Sequence, residues 1–119
     1  MAEGTDILLI EDEPNIAEAV RFILMREGWR VMAVSDGADA MPVLRQTAPR
    51  LVVLDLMLPN RSGDEILTEL RADPDARLAA TPVLLLTAQG RPPAGQADAV
   101  LAKPFANDDL RALVRRLIG

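Results

Sequence analysis

The 119-residue chain contains no cysteine and no histidine. The first absence excludes disulfides and thiolate metal sites; the second excludes imidazole as a base, a phosphocarrier or a metal ligand. Positive charge is also in short supply, with 13 Lys and Arg against 18 Asp and Glu and a formal net charge of -5. That is the wrong sign for a chain that grips nucleic acid unaided, so no direct nucleic-acid binding is expected. No apolar run approaches the length of a signal h-region or a membrane span, and the opening "MAEGTD" is acidic. A soluble cytoplasmic protein with no membrane contact is therefore expected. The length suits one domain that buries roughly two thirds of the surface its unfolded form would expose. Residues 1–119 are read as that single domain, with no room within them for a second, whether the domain stands alone or is cut from a longer protein.

What the chain does have is an alternation of two periods. "DILLI" (6–10) is a short aliphatic run followed by "EDEP", a strand and then a turn, with Pro14 suited to the first turn of a helix. Ile16, Val20, Ile23 and Leu24 recur at helical spacing, and Gly28 stands where a helix C-terminus belongs. "RVMAV" (30–34) predicts a second strand, and "SDGADAMPVLRQ" a helix that Pro42 should kink or delay. "LVVLD" (51–55) predicts a third strand, followed by a loop and a helix with Ile66, Leu67 and Leu70 on one face. "PVLLLT" (82–87) and "AVLA" (99–102) predict the fourth and fifth strands, and Leu110, Leu113, Val114 and Leu117 a last helix. Nearly unbroken Val, Leu and Ile in strands that alternate with helices predict a parallel sheet covered on both faces.

Polar residues then fall in a pattern. Glu11 and Asp12 end the first strand, Asp55 the third and Thr87 the fourth, and Lys103 follows the fifth. Singly each has an ordinary explanation: a strand-end Asp caps a turn, acidic residues suit a helix N-terminus, and Lys103 can be a solvated loop lysine. Asp108 and Asp109 at the start of the last helix, with Arg111, Arg115 and Arg116 toward its end, follow the helix dipole in the same way. Together the five residues converge at the carboxyl edge of a parallel sheet, where ligands bind. Three carboxylates crowded there repel one another unless a cation intervenes, and a hard divalent ion such as Mg²⁺ suits them. Beside such an ion Asp55 becomes a nucleophile toward phosphorus, with Lys103 and Thr87 offered to the incoming phosphoryl oxygens.

On "LLIEDEP", "VVLDLMLPNRSG", "VLLLTA" and "AKPF", the chain closely resembles the receiver domain of bacterial two-component response regulators over essentially its whole length. The resemblance implies a flavodoxin-like, doubly wound α/β fold with a five-stranded parallel sheet of order 2-1-3-4-5. It implies that Asp55 is the phosphoacceptor, charged by a sensor histidine kinase or a histidine phosphotransfer protein. Glu11, Asp12 and Asp55, with the backbone carbonyl of Met57, would hold Mg²⁺, Mn²⁺ being the alternative ion. Thr87 would be the switch hydroxyl and Lys103 the lysine that bonds the phosphoryl group, with Lys103-Pro104 a cis peptide. Such a protein is a phosphoacceptor that assists its own phosphorylation and dephosphorylation rather than a turnover enzyme. It passes its state to a downstream protein, and homodimers are compatible with it. Met57 and Gln89 flank the site and are expected to influence hydrolysis.

Two features depart from the family pattern. Val100 stands where an aromatic residue ordinarily lies three positions before the lysine, so an aromatic flip cannot carry the signal. "AQGRPPAGQADAVLA" between Thr87 and Lys103 is short and broken by Pro92, Pro93 and Gly95. A regular helix in its first half is not expected, and at most a turn near Gln96 to Asp98. High mobility is expected at Gln89 to Gln96, and partner contacts around the first helix and Val100 to Ala106. A phosphatase of the haloacid dehalogenase class is the enzyme rival, but it needs a second Asp where Met57 stands. The other rival is a receiver-like module that binds proteins independently of phosphorylation.

Overall fold

The computed structural model describes residues 4–88 and 96–118. The elements are β1 (Ile7–Ile10), α1 (Pro14–Arg26), β2 (Val31–Val34), α2 (Gly37–Thr47), β3 (Leu51–Asp55), α3 (Gly63–Arg71), α4 (Ala76–Ala79), β4 (Val83–Ala88), β5 (Ala99–Lys103) and α5 (Asn107–Ile118). All strand pairs are parallel, and the sheet order is β2-β1-β3-β4-β5.

The aliphatic runs are unbroken because the inner strands are buried on both faces. Ile7, Leu9, Leu51, Val53, Leu84 and Leu86 pack on one side against Val20, Ile23 and Leu24 of α1 and Leu110, Val114 and Ile118 of α5. Leu8, Ile10, Val52, Leu54, Val83 and Leu85 pack on the other against α2, α3 and Leu78 of α4. Each fully buried Leu or Ile contributes roughly 1.5–3 kcal/mol, so two continuous cores flank one sheet. The edge strands β2 and β5 are only partly buried, and their sequences are correspondingly less apolar.

Local signals set the helix ends. Pro14 is the first residue of α1, and Gly28 follows that helix at φ 97, a left-handed conformation that glycine adopts at little cost. Ser62 and Glu65 form a reciprocal capping box at the start of α3. Pro42 does not delay α2, which begins at Gly37 under the Asp36 cap and carries the proline in its interior. One backbone hydrogen bond is lost there, while Ala40, Met41 and Leu44 bury on either side and hold the helix together.

The four-residue α4 is an element that the hydrophobic pattern does not foretell. Its cap, Asp75, accepts from the Arg77 N–H at 3.0 Å, and it is too short for a hydrophobic period to register. Between β4 and β5 the described residues contain no helix, and Gln96 to Asp98 form a turn, as expected. The expectation of mobility at Gln89 to Gln96 lies outside the described residues except for Gln96. No helix among the described residues is long and apolar enough to cross a membrane.

Candidate functional site

From β1 the chain crosses first to β2 on one side and then returns to β3 on the other, so strand order reverses between β1 and β3. The carboxyl ends of those two strands are splayed by connections leaving in opposite directions, which opens a crevice there. In the register Ile10 lies opposite Leu54, so Glu11 and Asp55 follow side by side at its floor. Both are almost completely buried, whereas Asp12 is exposed at the rim.

Glu11, Asp12 and Asp55 each offer a carboxylate oxygen, and the three oxygens lie within 4.8 Å of one another. Lys103 reaches in from the end of β5, its Nζ 3.1 Å from Glu11 Oε1 and 3.4 Å from Asp55 Oδ1. Lys103-Pro104 is cis, as the resemblance implied. Burial pushes the Glu11 carboxyl above its ordinary range, an effect tempered by the Glu13 N–H and the Lys103 ammonium. For Lys103, burial opposes the charge, but the hydrogen bond to Glu11 and the nearby Asp55 leave the ammonium harder to deprotonate than usual.

One ammonium does not balance three carboxylates. At separations of about 5 Å and an effective dielectric near 20, each like-charged pair costs roughly 3 kcal/mol. The donor set is all oxygen and clustered, which fits a hard divalent cation and gives a soft one no ligand.

The remaining expected residues lie around this cluster. Thr87 is buried at the end of β4, one residue past Leu86, the register partner of Asp55, and paired with Ala102 just before Lys103. Met57 is largely exposed, and its N–H donates to Asp55 Oδ1 at 3.3 Å, which ties the start of the loop after β3 to Asp55. Gly63 lets that loop close tightly: its N–H bonds Leu56 O at 2.9 Å, and a Cβ there would stand 2.4 Å from Asp55 O. Val100 is partly exposed on the edge strand β5.

Sequence reasoning misses the brace on this loop, a hydrogen bond of 2.7 Å from Asn60 Nδ2 to Asp36 Oδ2. Its partners are 24 residues apart, and no local pattern links them. In the sequence Asp36 is visible only as part of a helix start.

Known proteins resemble this chain in sequence and in fold. The response regulator receiver domain family matches residues 7–115. The chain is 38% identical to response regulator Rre1 of Synechocystis sp., with 100% of this chain and 54% of the relative covered. It is 35% identical to the DNA-binding response regulator MtrA of Mycolicibacterium smegmatis, covering 92% of this chain and 48% of that one. The chain thus spans about half the length of these curated relatives. Among solved structures, the receiver domain of a Pseudomonas aeruginosa sensor histidine kinase is 29% identical with a TM-score of 0.86, each chain covered to 98%. That crystal structure carries a magnesium ion coordinated in the active-site cleft. By sequence and by fold, this chain belongs to the response regulator receiver domain family of two-component signalling.

Proposed function

We propose that this chain accepts a phosphoryl group on Asp55 from a phosphohistidine of a sensor histidine kinase or a histidine phosphotransfer protein, and that its changed contacts are read by a downstream protein. The observation that carries this reading is the convergence of three carboxylates and one ammonium where the strand order reverses. An Asp55 oxygen attacks phosphorus, and an O–P bond forms as the donor's N–P bond breaks. The donor nitrogen leaves with the electron pair of that bond. These residues include no histidine, so the donor phosphohistidine lies outside them.

Glu11, Asp12, Asp55 and the backbone carbonyl of Met57 would hold Mg²⁺, which when bound neutralises carboxylate and phosphoryl charge. Lys103 already stands beside Asp55 and is placed to give up that contact for a phosphoryl oxygen. Thr87, at the neighbouring strand end, would offer its hydroxyl to the phosphoryl group. The protein acts as a phosphoacceptor that assists its own chemistry, in the cytoplasm, and is not a turnover enzyme. With a net charge of -5, these residues are not the part of a regulator that would contact DNA.

The test is intact-protein mass spectrometry after incubation with Mg²⁺ and a small-molecule phosphodonor, beside Asp55→Asn and a metal-free control. A gain of one phosphoryl group that requires both Asp55 and the metal supports the reading. A second reading, contact with partners independent of phosphorylation, is favoured by Val100, an aliphatic side chain partly exposed where the family pattern has an aromatic. No gain from the small donor, a kinase or a phosphotransfer protein, with the fold intact, would select it.

A further inference from the structure

The loop from β3 to α3 contains an unusual turn. Arg61 N–H donates to Pro59 O at 2.8 Å, and the residue between them, Asn60, has φ 68. A bond from i+2 back to i around a left-handed centre is the pattern of the strained form of the three-residue turn. Asn tolerates this region better than other side chains, but it carries a conformational cost that something else must offset.

The N-terminus of α2 supplies three contacts that hold the turn. Asp36 divides its carboxylate: Oδ1 caps the helix by accepting from Ala38 N–H at 2.8 Å, and Oδ2 accepts from Asn60 Nδ2 at 2.7 Å. Gly37 N–H donates to Pro59 O at 3.0 Å. Gly37 also packs so closely that a Cβ there would stand 2.1 Å from Arg61 O. On its other side the loop is held by Arg61, whose guanidinium bonds the Glu69 carboxylate and Glu65 O.

The base of the same loop is fixed by Gly63 N–H to Leu56 O and by Met57 N–H to Asp55 Oδ1. Met57 therefore sits between a base anchored on the acceptor aspartate and an apex anchored on α2. A loop tied at both ends presents its backbone in one orientation, and a loop tied at the base alone samples many.

We infer that Asp36 is a positioning residue of the phosphorylation site, holding Asn60 in its left-handed turn and thereby orienting the loop that carries Met57 toward the metal-binding carboxylates. This rests on the proposed phosphoacceptor reading. Asp36 is not part of the carboxylate cluster, and it acts through Asn60. The effect resembles that of outer partners that orient metal ligands, whose loss typically weakens metal affinity by about 10–100-fold.

The experiment separates this role from helix capping. Asp36→Ser keeps a side-chain oxygen for the Ala38 N–H but is too short to reach Asn60. Asn60→Gly takes a positive φ without a partner. Mg²⁺ affinity is measured by calorimetry, and the initial rate of phosphoryl uptake by mass spectrometry. Wild type, Asp36→Ser and Asp36→Ser/Asn60→Gly are compared well below their unfolding transitions, with the fold checked by circular dichroism. The expected result is about a tenfold weaker Mg²⁺ affinity in Asp36→Ser, largely restored in the double variant. An Asp36→Ser protein within about twofold of wild type in both readouts would overturn the inference. So would a loss that Asn60→Gly fails to restore, because the deficit would then lie elsewhere than in the conformation of Asn60. A wild-type chain that takes up neither Mg²⁺ nor a phosphoryl group would overturn the phosphoacceptor reading itself, an outcome distinct from the other two.

Discussion

Lys103 Nζ donates to Glu11 Oε1 at 3.1 Å, closing an ion pair between residues 92 positions apart in the chain. The carboxylate is fully buried and the lysine side chain largely so, and the same ammonium lies 3.4 Å from Asp55 Oδ1. Among the described residues, Lys103 is therefore the cation that partly offsets the charge of the acidic crevice.

Replacing it tests that role. Lys103→Met leaves buried carboxylates uncompensated and is expected to lower metal-free stability by about 2 kcal/mol, less than for a fully buried pair because Lys103 retains some solvent contact. Mg²⁺ should then raise the melting temperature of the variant more than that of wild type, since the ion substitutes for the lost charge. Thermal scans with and without Mg²⁺ measure both effects; equal Mg²⁺ shifts in the two proteins would count against it.

Gly63 is a second point of sensitivity. In Gly63→Ala the new methyl group would meet Asp55 O at 2.4 Å and Leu56 Cα at 2.7 Å, backbone atoms that can yield only by shifting the end of β3. The expected cost is roughly 1–3 kcal/mol in urea denaturation, accompanied by slower phosphoryl uptake because Asp55 moves with that backbone. Wild-type behaviour in both would mean that the crevice floor is softer than its packing implies.

Arg71 secures the opposite end of the sheet. Its guanidinium donates to Ala79 O, Thr81 O and Gln96 O and to the Asp98 carboxylate, at 2.8 to 3.0 Å. Asp98 in turn accepts from Val83 N–H at 2.7 Å. The one side chain thus joins α3, α4, the start of β4 and the turn into β5. Arg71→Ala is expected to cost about 2 kcal/mol and to speed amide exchange at Val83 and Asp98 before the centre of the sheet. Exchange that rises uniformly instead would show that β5 does not depend on this arginine.

Asp6 governs an acid-side loss of stability. The Arg30 side-chain hydrogen bond, reinforced by the Arg30 N–H and by Arg50, holds its buried carboxyl below the ordinary value of 3.8. Because the folded pKa lies below the unfolded one, the stabilisation is fully present above the unfolded value. It is lost as pH falls through the folded pKa. Denaturation midpoints measured from pH about 6 down to about 2 should fall less steeply in Asp6→Asn than in wild type. Parallel curves would assign the acid sensitivity to other carboxylates.

Much of the architecture is legible in the amino-acid pattern. β1, β3 and β4 announce themselves because a strand buried on both faces must be aliphatic throughout, and α1, α3 and α5 because a helix with one buried face must repeat near every 3.6 residues. Pro14 and Gly28 mark the two ends of α1 through backbone preferences that act over a few residues, whereas the Ser62–Glu65 box at the start of α3 emerged only in the structure. The polar residues of the crevice stand out because each interrupts an apolar strand at the same end. By contrast, α4 is too short to show a period, and Pro42 lies inside a helix that tertiary burial sustains against its local cost.

The sequence by itself determined the alternation of strand and helix, the two-sided burial of the inner strands and the identity of the polar strand ends, all of which are set by neighbours a few residues away. Only the tertiary structure decided that Lys103 pairs with Glu11 as well as Asp55, that Arg71 ties four segments together, and that Asp36 braces Asn60. Most of these contacts join residues far apart in the chain. Their geometry depends on how whole elements stack across the sheet, and no local period or cap records that.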